Sequence, residues 1–325
     1  MADPREALAF SNSIRLSSRQ WLGITLFAML LVVFAPRVWM QFEDFTPPAD
    51  YRIPHELSND YWLYELYAAL AAQRYDTLLI GDSVIWGEYV KRQETLAYYL
   101  NREAGKERCA NLGLDGAHPL ALSGLIRHYA GGVVNRNVLL ECNPLWLSSP
   151  PADLQDDKKV NQFNHPRLVP QFSPRIPSYK EEISPRLGIL VEQRVTFSKW
   201  TNHLQQPWNK SGITKQDYPW VDLEASLQWH AFQDVIELLR ARGNRVFVVV
   251  GPFNEHLLTA ASQERYDKVK RAIAAWLDER QIPYKMPAPL ASEQYADASH
   301  PLPQGYATLA RQLCDEPFFR SADLP

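Results

Sequence analysis

Cysteine is scarce in this sequence, and neither sign of charge is in marked excess. The three cysteines, Cys109, Cys142 and Cys314, lie far apart and form no CxxC pair, so the sequence indicates neither a zinc site nor a disulfide framework. We expect them to be small, buried apolar residues. The 34 basic and 37 acidic residues leave a net charge of -3. Because the basic residues form no block, nothing indicates nucleic acid as a partner.

Motifs of metal and cofactor chemistry are also absent. The sequence contains no phosphate-binding glycine loop, no HExxH pair and no EF-hand loop, and it has no internal repeat or low-complexity tract. It therefore predicts neither a cofactor nor a bound metal. What is present is a chain of 325 residues, 46% hydrophobic and 12% aromatic, which is enough to bury one large core.

One long apolar run lies near the N-terminus. Residues 21–36 (WLGITLFAMLLVVFAP) carry no charge, and apolar residues resume after Arg37, which approaches the roughly 20 residues needed to cross a bilayer. Trp21 and Trp39 lie where interfacial anchors are expected. Basic residues precede the run and acidic residues follow it. The positive-inside rule therefore predicts that the N-terminus lies in the cytoplasm.

A cleaved signal peptide is the competing interpretation of this run. The long polar segment before it, and Pro36 directly after Ala35, argue against a cleavage site. We therefore predict a cytoplasmic tail over residues 1–20 and a single-pass anchor in the inner membrane over 21–42. The rest of the chain would then be extracytoplasmic, in the periplasm.

After the anchor, the polar and proline-bearing residues 43–60 are typical of a linker. From residue 61, helical patterns alternate with short apolar runs that predict strands. These runs cover residues 77–80, 109–114, 137–142 and 245–251. Helices that alternate with strands predict a parallel sheet covered on both faces, so we expect a three-layer α/β/α catalytic domain over 61–325.

Residues 144–223 interrupt this alternation. The segment is dense in proline, asparagine and aromatic residues and is too long for an ordinary connection, so we predict an insertion. Two interpretations stay open, a surface excursion or a wall of a substrate cleft. The aromatic residues that would build such a wall are Trp146, Trp200, Trp208, Tyr218 and Trp220.

Ser83 follows an apolar strand directly, in the sequence LLIGDSVIWG. Open α/β folds place their sites at the carboxyl ends of parallel strands, where a helix N-terminus can also stabilise an oxyanion. The triplet Gly81-Asp82-Ser83 can equally be a turn that serves the backbone alone. The strand context makes Ser83 a candidate nucleophile.

A second polar pair lies near the C-terminus, in the sequence DASHPLPQGYATLARQL. Asp297 precedes His300 by three residues, so the carboxylate can accept from one imidazole nitrogen and leave the other for a serine hydroxyl. Alone, the pair could be a capping turn with a surface histidine. The position of the pair after the candidate nucleophile favours the first interpretation.

The order of these segments resembles the SGNH/GDSL hydrolase family, whose first block is GDS and whose fifth is DxxH. The resemblance spans about residues 77–313 apart from the insertion. It implies a flavodoxin-like three-layer fold of the SGNH type and a catalytic triad of Ser83, Asp297 and His300. The segment NLGLDGAHP resembles the second block and places Gly116, rather than Gly113, at the glycine of the oxyanion hole.

The third block departs from the family pattern, Gly-x-Asn-Asp. Here the strand VLLEC ends in Asn143, followed by Pro144, with no preceding glycine and no following acid. Asn143 is either a side-chain donor to the oxyanion or a cap of the turn. Asn254, in GPFNEH, is a second candidate. The resemblance thus implies an oxyanion hole formed by the amides of Ser83 and Gly116 and the side chain of Asn143.

Four further residues are assigned supporting positions. Asp82 is expected to orient the nucleophile turn through backbone hydrogen bonds, and Trp86 to pack beside it. His118 either lines the site or begins a helix before Pro119. Glu141 is expected to be a satisfied polar residue at the end of its strand.

The constellation predicts catalysis through an acyl-Ser83 intermediate. Water as acceptor gives an acyl-ester hydrolase, and a carbohydrate hydroxyl gives an O-acyltransferase. The layout is similar to that of membrane-anchored proteins of exopolysaccharide and cell-wall O-acetylation. This resemblance implies that the enzyme acts on an extracytoplasmic glycan, with an acylated carbohydrate or another acyl donor as substrate. It also implies a multi-spanning membrane acyltransferase as partner. The alternative is a non-catalytic glycan-binding or scaffolding subunit, because the third block is irregular.

Overall fold

The computed structural model describes residues 16–42, 47–53, 61–147, 206–218, 220 and 222–320. In these ranges the strands are β1 (Thr77–Gly81), β2 (Cys109–Gly113), β3 (Asn137–Cys142), β4 (Arg245–Val250) and β5 (Tyr284–Lys285). They form one sheet in the order β2-β1-β3-β4-β5, and every pair is parallel. This is the strand order of flavodoxin-type doubly wound sheets, whose sites lie at the carboxyl edge.

Helices precede the sheet and cover both of its faces. In chain order they are α1 (Ser18–Phe42), α2 (Tyr61–Arg74), α3 (Ser83–Trp86), α4 (Leu96–Ala104), α5 (Pro119–Tyr129), α6 (Pro144–Leu147), α7 (Leu227–Ala241), α8 (Ala260–Glu279), α9 (Pro303–Cys314) and α10 (Pro317–Arg320). Short 3-10 helices cover Arg92–Glu94, Trp208–Lys210, Leu223–Ala225, Glu255–Leu257 and Ser292–Gln294.

The core consists of two apolar layers, one on each face of the sheet. Successive side chains of a strand point to opposite faces. Leu78 and Ile80 of β1 therefore pack with α2, α5, α7 and α8, whereas Leu79 packs with α3, α4 and α9. β3 divides its side chains in the same way, with Val138 and Leu140 on the first face and Leu139 on the second. Burial on both faces explains why the strand sequences are continuous apolar runs.

The predicted α/β architecture with a parallel sheet is confirmed. The first and last residues of each predicted strand agree with those of an observed strand to within one or two residues. A helix is also found wherever a helical pattern predicts one. β5 was not predicted, because two residues at the sheet edge give no periodicity to detect. Cys109 and Cys142 are buried, as expected of apolar residues, and Cys314 is partly buried.

Residues 47–53, which the sequence analysis places in a linker, pack into the domain. The carbonyl of Ala49 accepts a hydrogen bond from the amide of Asn111 on β2, at 2.9 Å. The side chains of Tyr51, Arg52 and Ile53 are buried. Residues 47–53 of the predicted linker 43–60 are therefore part of the packed domain, although their prolines and short length give no pattern typical of a helix or a strand. Residues 43–46 and 54–60 lie outside the described ranges.

Helix α1 is long and apolar enough to cross a membrane, and none of its apolar window Ser18–Ala35 is buried. A signal sequence near the N-terminus would have the same length and composition. Residues 1–15 of the predicted tail are not described. Of the predicted insertion, the structure describes residues 144–147, 206–218, 220 and 222–223, and Trp200 lies outside them.

Candidate active site

Ser83 is the first residue of helix α3, directly after the turn that ends β1. The preceding residue, Asp82, is the helix N-cap, and its Oδ1 accepts a hydrogen bond from the amide of Val84 at 2.7 Å. The carbonyl of Ser83 accepts hydrogen bonds from the amides of Gly87 and Glu88. The strand, the cap and the short helix together hold Ser83 at the carboxyl edge of the sheet.

Two glycines allow α3 to lie directly on the strand ends. A Cβ atom on Gly113, at the end of β2, would lie 2.2 Å from the backbone nitrogen of Trp86. A Cβ atom on Gly81 would lie 2.4 Å from Oε2 of Glu141 and 2.5 Å from Cγ1 of Ile85. A larger residue at Gly113 would require movement of the helix that carries Ser83, and a larger residue at Gly81 would require the side chains of Glu141 and Ile85 to move. No local pattern in the sequence marks Gly113 for this packing.

Ser83, His300 and Asp297 form one hydrogen-bonded chain, although 217 residues separate Ser83 from His300. Nε2 of His300 lies 2.8 Å from Oγ of Ser83. Nδ1 of His300 lies 2.8 Å from both carboxylate oxygens of Asp297. With Nδ1 donating to Asp297, Nε2 of the neutral imidazole is the nitrogen that can accept the serine proton.

The turn around Asp297 holds this carboxylate in place. Its Oδ1 accepts hydrogen bonds from the backbone amides of Ser299, at 3.0 Å, and His300, at 2.9 Å. Asn254 supports the same turn from the end of β4, because its side-chain amide donates to the carbonyl of Asp297 at 3.0 Å and its backbone amide donates to the carbonyl of Ala298 at 2.8 Å. Asn254, the second candidate for the oxyanion donor, thus supports the loop of Asp297.

The electrostatic environment favours the ion pair of Asp297 and His300. Burial alone would raise the pKa of Asp297, but the positive charge and hydrogen bond of His300 and two backbone amides hold it below its usual value. Burial alone would likewise lower the pKa of His300, but the charge and hydrogen bond of Asp297, with the charges of Asp82 and Glu88, raise it to about 9. His300 is therefore a stronger base than an ordinary histidine.

The three residues predicted to form the oxyanion hole follow three neighbouring strands. Ser83 follows β1, Gly116 follows β2, and Asn143 follows β3, and β1 lies between the other two. Gly116 occupies a turn with φ +74°. This turn stays close to β1, because the amide of Leu114 donates to the carbonyl of Gly81 at 3.1 Å.

Asn143 is hydrogen-bonded to the turn that carries Ser83. Its Nδ2 donates to Oδ2 of Asp82 at 2.7 Å, and its Oδ1 accepts from the amide of Leu145 at 3.1 Å. It therefore caps the turn before α6, one of the two interpretations left open, and also fixes Asp82. Since a side-chain amide carries two hydrogens, the bond to Asp82 leaves the second available to another acceptor.

Two further side chains complete the environment of Asp82. The indole nitrogen of Trp146 donates to Oδ2 of Asp82, a contact that no local pattern predicts. The amide of Asp82 donates to Oε2 of the buried Glu141 at 3.1 Å. Burial, followed by the charge of Asp82, raises the pKa of Glu141 well above its usual value and favours the protonated acid.

His118 and several of the described aromatic residues of the predicted insertion lie beside the turns that carry Asn143 and Asp297. His118 is the N-cap of α5, as one interpretation expects, and its ring lies 5.6 Å from that of Trp146. Tyr218 and Trp220 stack on each other and pack on Phe253. The same cluster includes Leu145, which follows Asn143, and Ala298, which follows Asp297. It therefore borders both the Asn143 turn and the Asp297 loop. Trp208 belongs to a separate cluster with Tyr295, and its indole nitrogen donates to the carbonyl of Ser292 at 3.0 Å.

Within the described ranges, no group of three or more His, Cys, Asp or Glu side chains is arranged to hold a metal ion. No protein-family model matches the chain, and no curated protein is similar to it.

Proposed function

We propose that this chain is a serine-dependent acyl-ester enzyme of the SGNH/GDSL type that acts on an extracytoplasmic glycan, as a hydrolase or as an O-acyltransferase. The observation that carries the proposal is the hydrogen-bonded chain from Asp297 through His300 to Ser83, with 2.8 Å at each step. A base held by a carboxylate and aimed at a hydroxyl is the arrangement that activates serine as a nucleophile.

In the proposed reaction, Nε2 of His300 takes the proton of Ser83 while Oγ forms a bond to the carbonyl carbon of an ester. The negative oxygen is stabilised by the amides of Ser83 and Gly116 and by the second hydrogen of the Asn143 amide. When the intermediate collapses, the ester oxygen leaves with the proton from His300, and an acyl-Ser83 remains. Water or a sugar hydroxyl then gives its proton to His300 and forms a bond to the acyl carbon. The bond from this carbon to Oγ of Ser83 breaks, and Oγ takes the proton back from His300.

The glycan assignment is supported by two features outside the triad. Helix α1 would anchor the chain in the inner membrane with its N-terminus in the cytoplasm and the domain in the periplasm. The aromatic cluster of Tyr218 and Trp220 borders the site, and aromatic faces suit the apolar faces of sugars. A multi-spanning membrane acyltransferase is the partner that would supply acyl groups from the cytoplasm.

Hydrolysis and transfer are separated by following the acyl group. The full chain, purified in detergent, is incubated with p-nitrophenyl acetate in the presence and absence of acetyl-free glycans, and mass spectrometry records whether acetate reaches sugar or only water. Ser83→Ala should abolish turnover, and Ser211→Ala, at an exposed serine, should leave it unchanged. Turnover retained by Ser83→Ala would refute the proposal.

A non-catalytic glycan-binding or scaffolding subunit is the second candidate. The bond between Asn143 and Asp82 favours it, because the only asparagine at the end of β3 is partly engaged in holding the turn. Such a subunit would keep its cellular function when His300 is replaced by alanine, whereas an enzyme would lose it. The His300→Ala variant in cells therefore separates the two candidates.

A further inference from the structure

Tyr89 has a backbone conformation that bulky residues rarely adopt. Its φ is +63°, in the left-handed region that favours glycine and asparagine. It lies in the loop between α3 and the 3-10 helix Arg92–Glu94, six residues after Ser83. Strained residues of this kind persist where the surrounding structure holds them, and they cluster at functional sites.

The side chain of Tyr89 contacts both residues that activate Ser83. Its ring meets the imidazole of His300 edge to face, with the centroids 5.5 Å apart and the planes at 71°. Its hydroxyl is hydrogen-bonded to the carboxylate of Asp297. One side chain thus limits rotation of the imidazole and adds a donor to its carboxylate partner.

The loop that carries Tyr89 is clamped by Arg52 from the segment 47–53. The guanidinium of Arg52 is buried and donates from one nitrogen to the carbonyl of Gly87 at 2.8 Å and to that of Val90 at 3.1 Å. The same guanidinium lies 4.6 Å from the ring centre of Trp86. The two carbonyls bracket Tyr89 in the sequence, so the clamp fixes the loop on both sides of the strained residue.

Acidic side chains lie close to both Tyr89 and His300. Asp297, Glu88 and Asp115 face Tyr89, and Asp297, Asp82 and Glu88 face His300. Burial, followed by these negative charges, raises the pKa of Tyr89, so the phenol stays protonated and remains a donor. A hydrogen bond donated to Asp297 offsets part of the negative charge of this carboxylate. Asp297 then stabilises the protonated imidazole of His300 less strongly.

We propose that Tyr89 is a positioning residue that holds Asp297 and His300 in register with Ser83 and tunes the basicity of the imidazole. The expected effect of Tyr89 on the reaction rate rests on the proposed function. Its effect on the pKa of His300 can be measured without any turnover. The left-handed backbone at Tyr89 is then the cost of placing a phenol between the nucleophile turn and the Asp297 loop.

The test is the pKa of His300, measured by NMR on the full chain in detergent micelles with nitrogen-15-labelled histidine, assigned by comparison with His300→Gln. Tyr89→Phe keeps the ring and removes the hydroxyl, so the pKa of His300 should rise by about half a unit. Tyr89→Gly should raise it as well, because it also admits water to the imidazole. Tyr98→Phe, a matched change at a partly buried tyrosine away from the pair, should leave the pKa unchanged.

Turnover gives the second readout. Tyr89→Phe should lower kcat by about threefold to tenfold with little change in KM, since the hydroxyl orients the base and does not bind substrate. An unchanged pKa of His300 in Tyr89→Phe would overturn the inference, whatever the activity. If the pKa moves and wild type shows no esterase or transferase turnover, the inference stands and the proposed function fails.

Discussion

Four hydrogen bonds converge on the carboxylate of Asp297. They come from the amides of Ser299 and His300, the imidazole of His300 and the hydroxyl of Tyr89. A carboxylate offers about four acceptor positions, so its capacity is filled. At the scale of single residues, this saturation is what keeps Asp297 ionised despite burial and what makes His300 a strong base.

The raised pKa of His300 predicts the pH dependence of activity. Because only the neutral imidazole can accept the proton of Ser83 in the proposed reaction, kcat/KM should rise with pH, with its midpoint near pH 9. Asp297→Asn should move this limb to lower pH and lower kcat by about 10³-fold to 10⁴-fold. Rates of ester hydrolysis from pH 5 to 10, corrected for the uncatalysed reaction, measure both effects. A wild-type limb near pH 6 would contradict the assignment.

The same pKa shift has a consequence for stability, with a definite sign. The folded value of about 9 lies above the usual value of 6.5, so protonated His300 stabilises the fold below pH 6.5. This contribution is lost as the pH rises through 9. Urea denaturation at pH 6 and pH 9.5 should therefore show a larger loss of unfolding free energy for wild type than for His300→Gln, and equal losses would count against the shift.

Asn143→Ala separates the two roles of this side chain. Removal of its amide deprives Asp82 of a buried donor, so the unfolding free energy should fall by about 1–3 kcal/mol, together with kcat. Trp146→Phe removes the other side-chain donor to the same oxygen and should have a similar effect on stability. If Asn143→Ala lowers kcat about 100-fold and leaves urea denaturation unchanged, Asn143 acts on the oxyanion alone.

At the scale of elements, the position of Ser83 depends on how closely α3 packs on the strand ends. Gly113→Ala would place a methyl group 2.2 Å from the backbone of Trp86, so α3 has to move. We expect a loss of about 1–3 kcal/mol in unfolding free energy and a fall in kcat, since the serine moves with the helix. Gly131→Ala is the matched control, because nothing lies within 4 Å of its added Cβ. Equal behaviour of the two variants would contradict the packing.

The elements that the sequence predicts are those with local patterns. The run Arg245–Val250 is β-branched and buried, and the helix Leu227–Ala241 repeats apolar residues at helical spacing, so both are visible without knowledge of the fold. The pairing of Asp297 with His300 is equally local. β5 and the segment 47–53 escape prediction because each is short and its burial depends on distant partners.

The contacts around Asp82 and Tyr89 were not predictable for the same reason. Trp146 meets Asp82 across 64 residues of sequence, and Arg52 meets Gly87 across 35. No residue type or spacing marks such pairs in advance. The position of Asn143 was predicted from the end of its strand, but its bond to Asp82 follows from the order of the strands in the sheet.

At the scale of the whole molecule, the domain lies close to the end of the apolar helix. Four residues separate Phe42, at the end of α1, from Pro47, where the described domain begins. Five extended steps of chain span at most about 18 Å. If α1 is a membrane anchor, the domain that carries Ser83 therefore stays near the membrane surface, where an acyl donor delivered through the bilayer would emerge.

Removal of the segment 47–53 should damage the whole domain. A chain that begins at Pro47 behind a cleavable secretion signal keeps the buried Tyr51, Arg52 and Ile53, whereas one that begins at Pro54 loses them. We expect the shorter chain to lose about 5 kcal/mol or more of stability, from the apolar burial and the hydrogen bonds of Arg52. Urea denaturation and soluble yield compare the two. Equal midpoints would show that the segment is dispensable.

The central claim is that Ser83 is a nucleophile activated by His300, and active-site trapping tests it most directly. The full chain in detergent is treated with a fluorophosphonate, digested, and mapped by mass spectrometry. We predict one adduct, on Ser83, absent from Ser83→Ala and strongly reduced in His300→Gln, with labelling retained in Ser211→Ala at an exposed serine. No adduct on wild type, or an adduct that persists in Ser83→Ala, would contradict the claim.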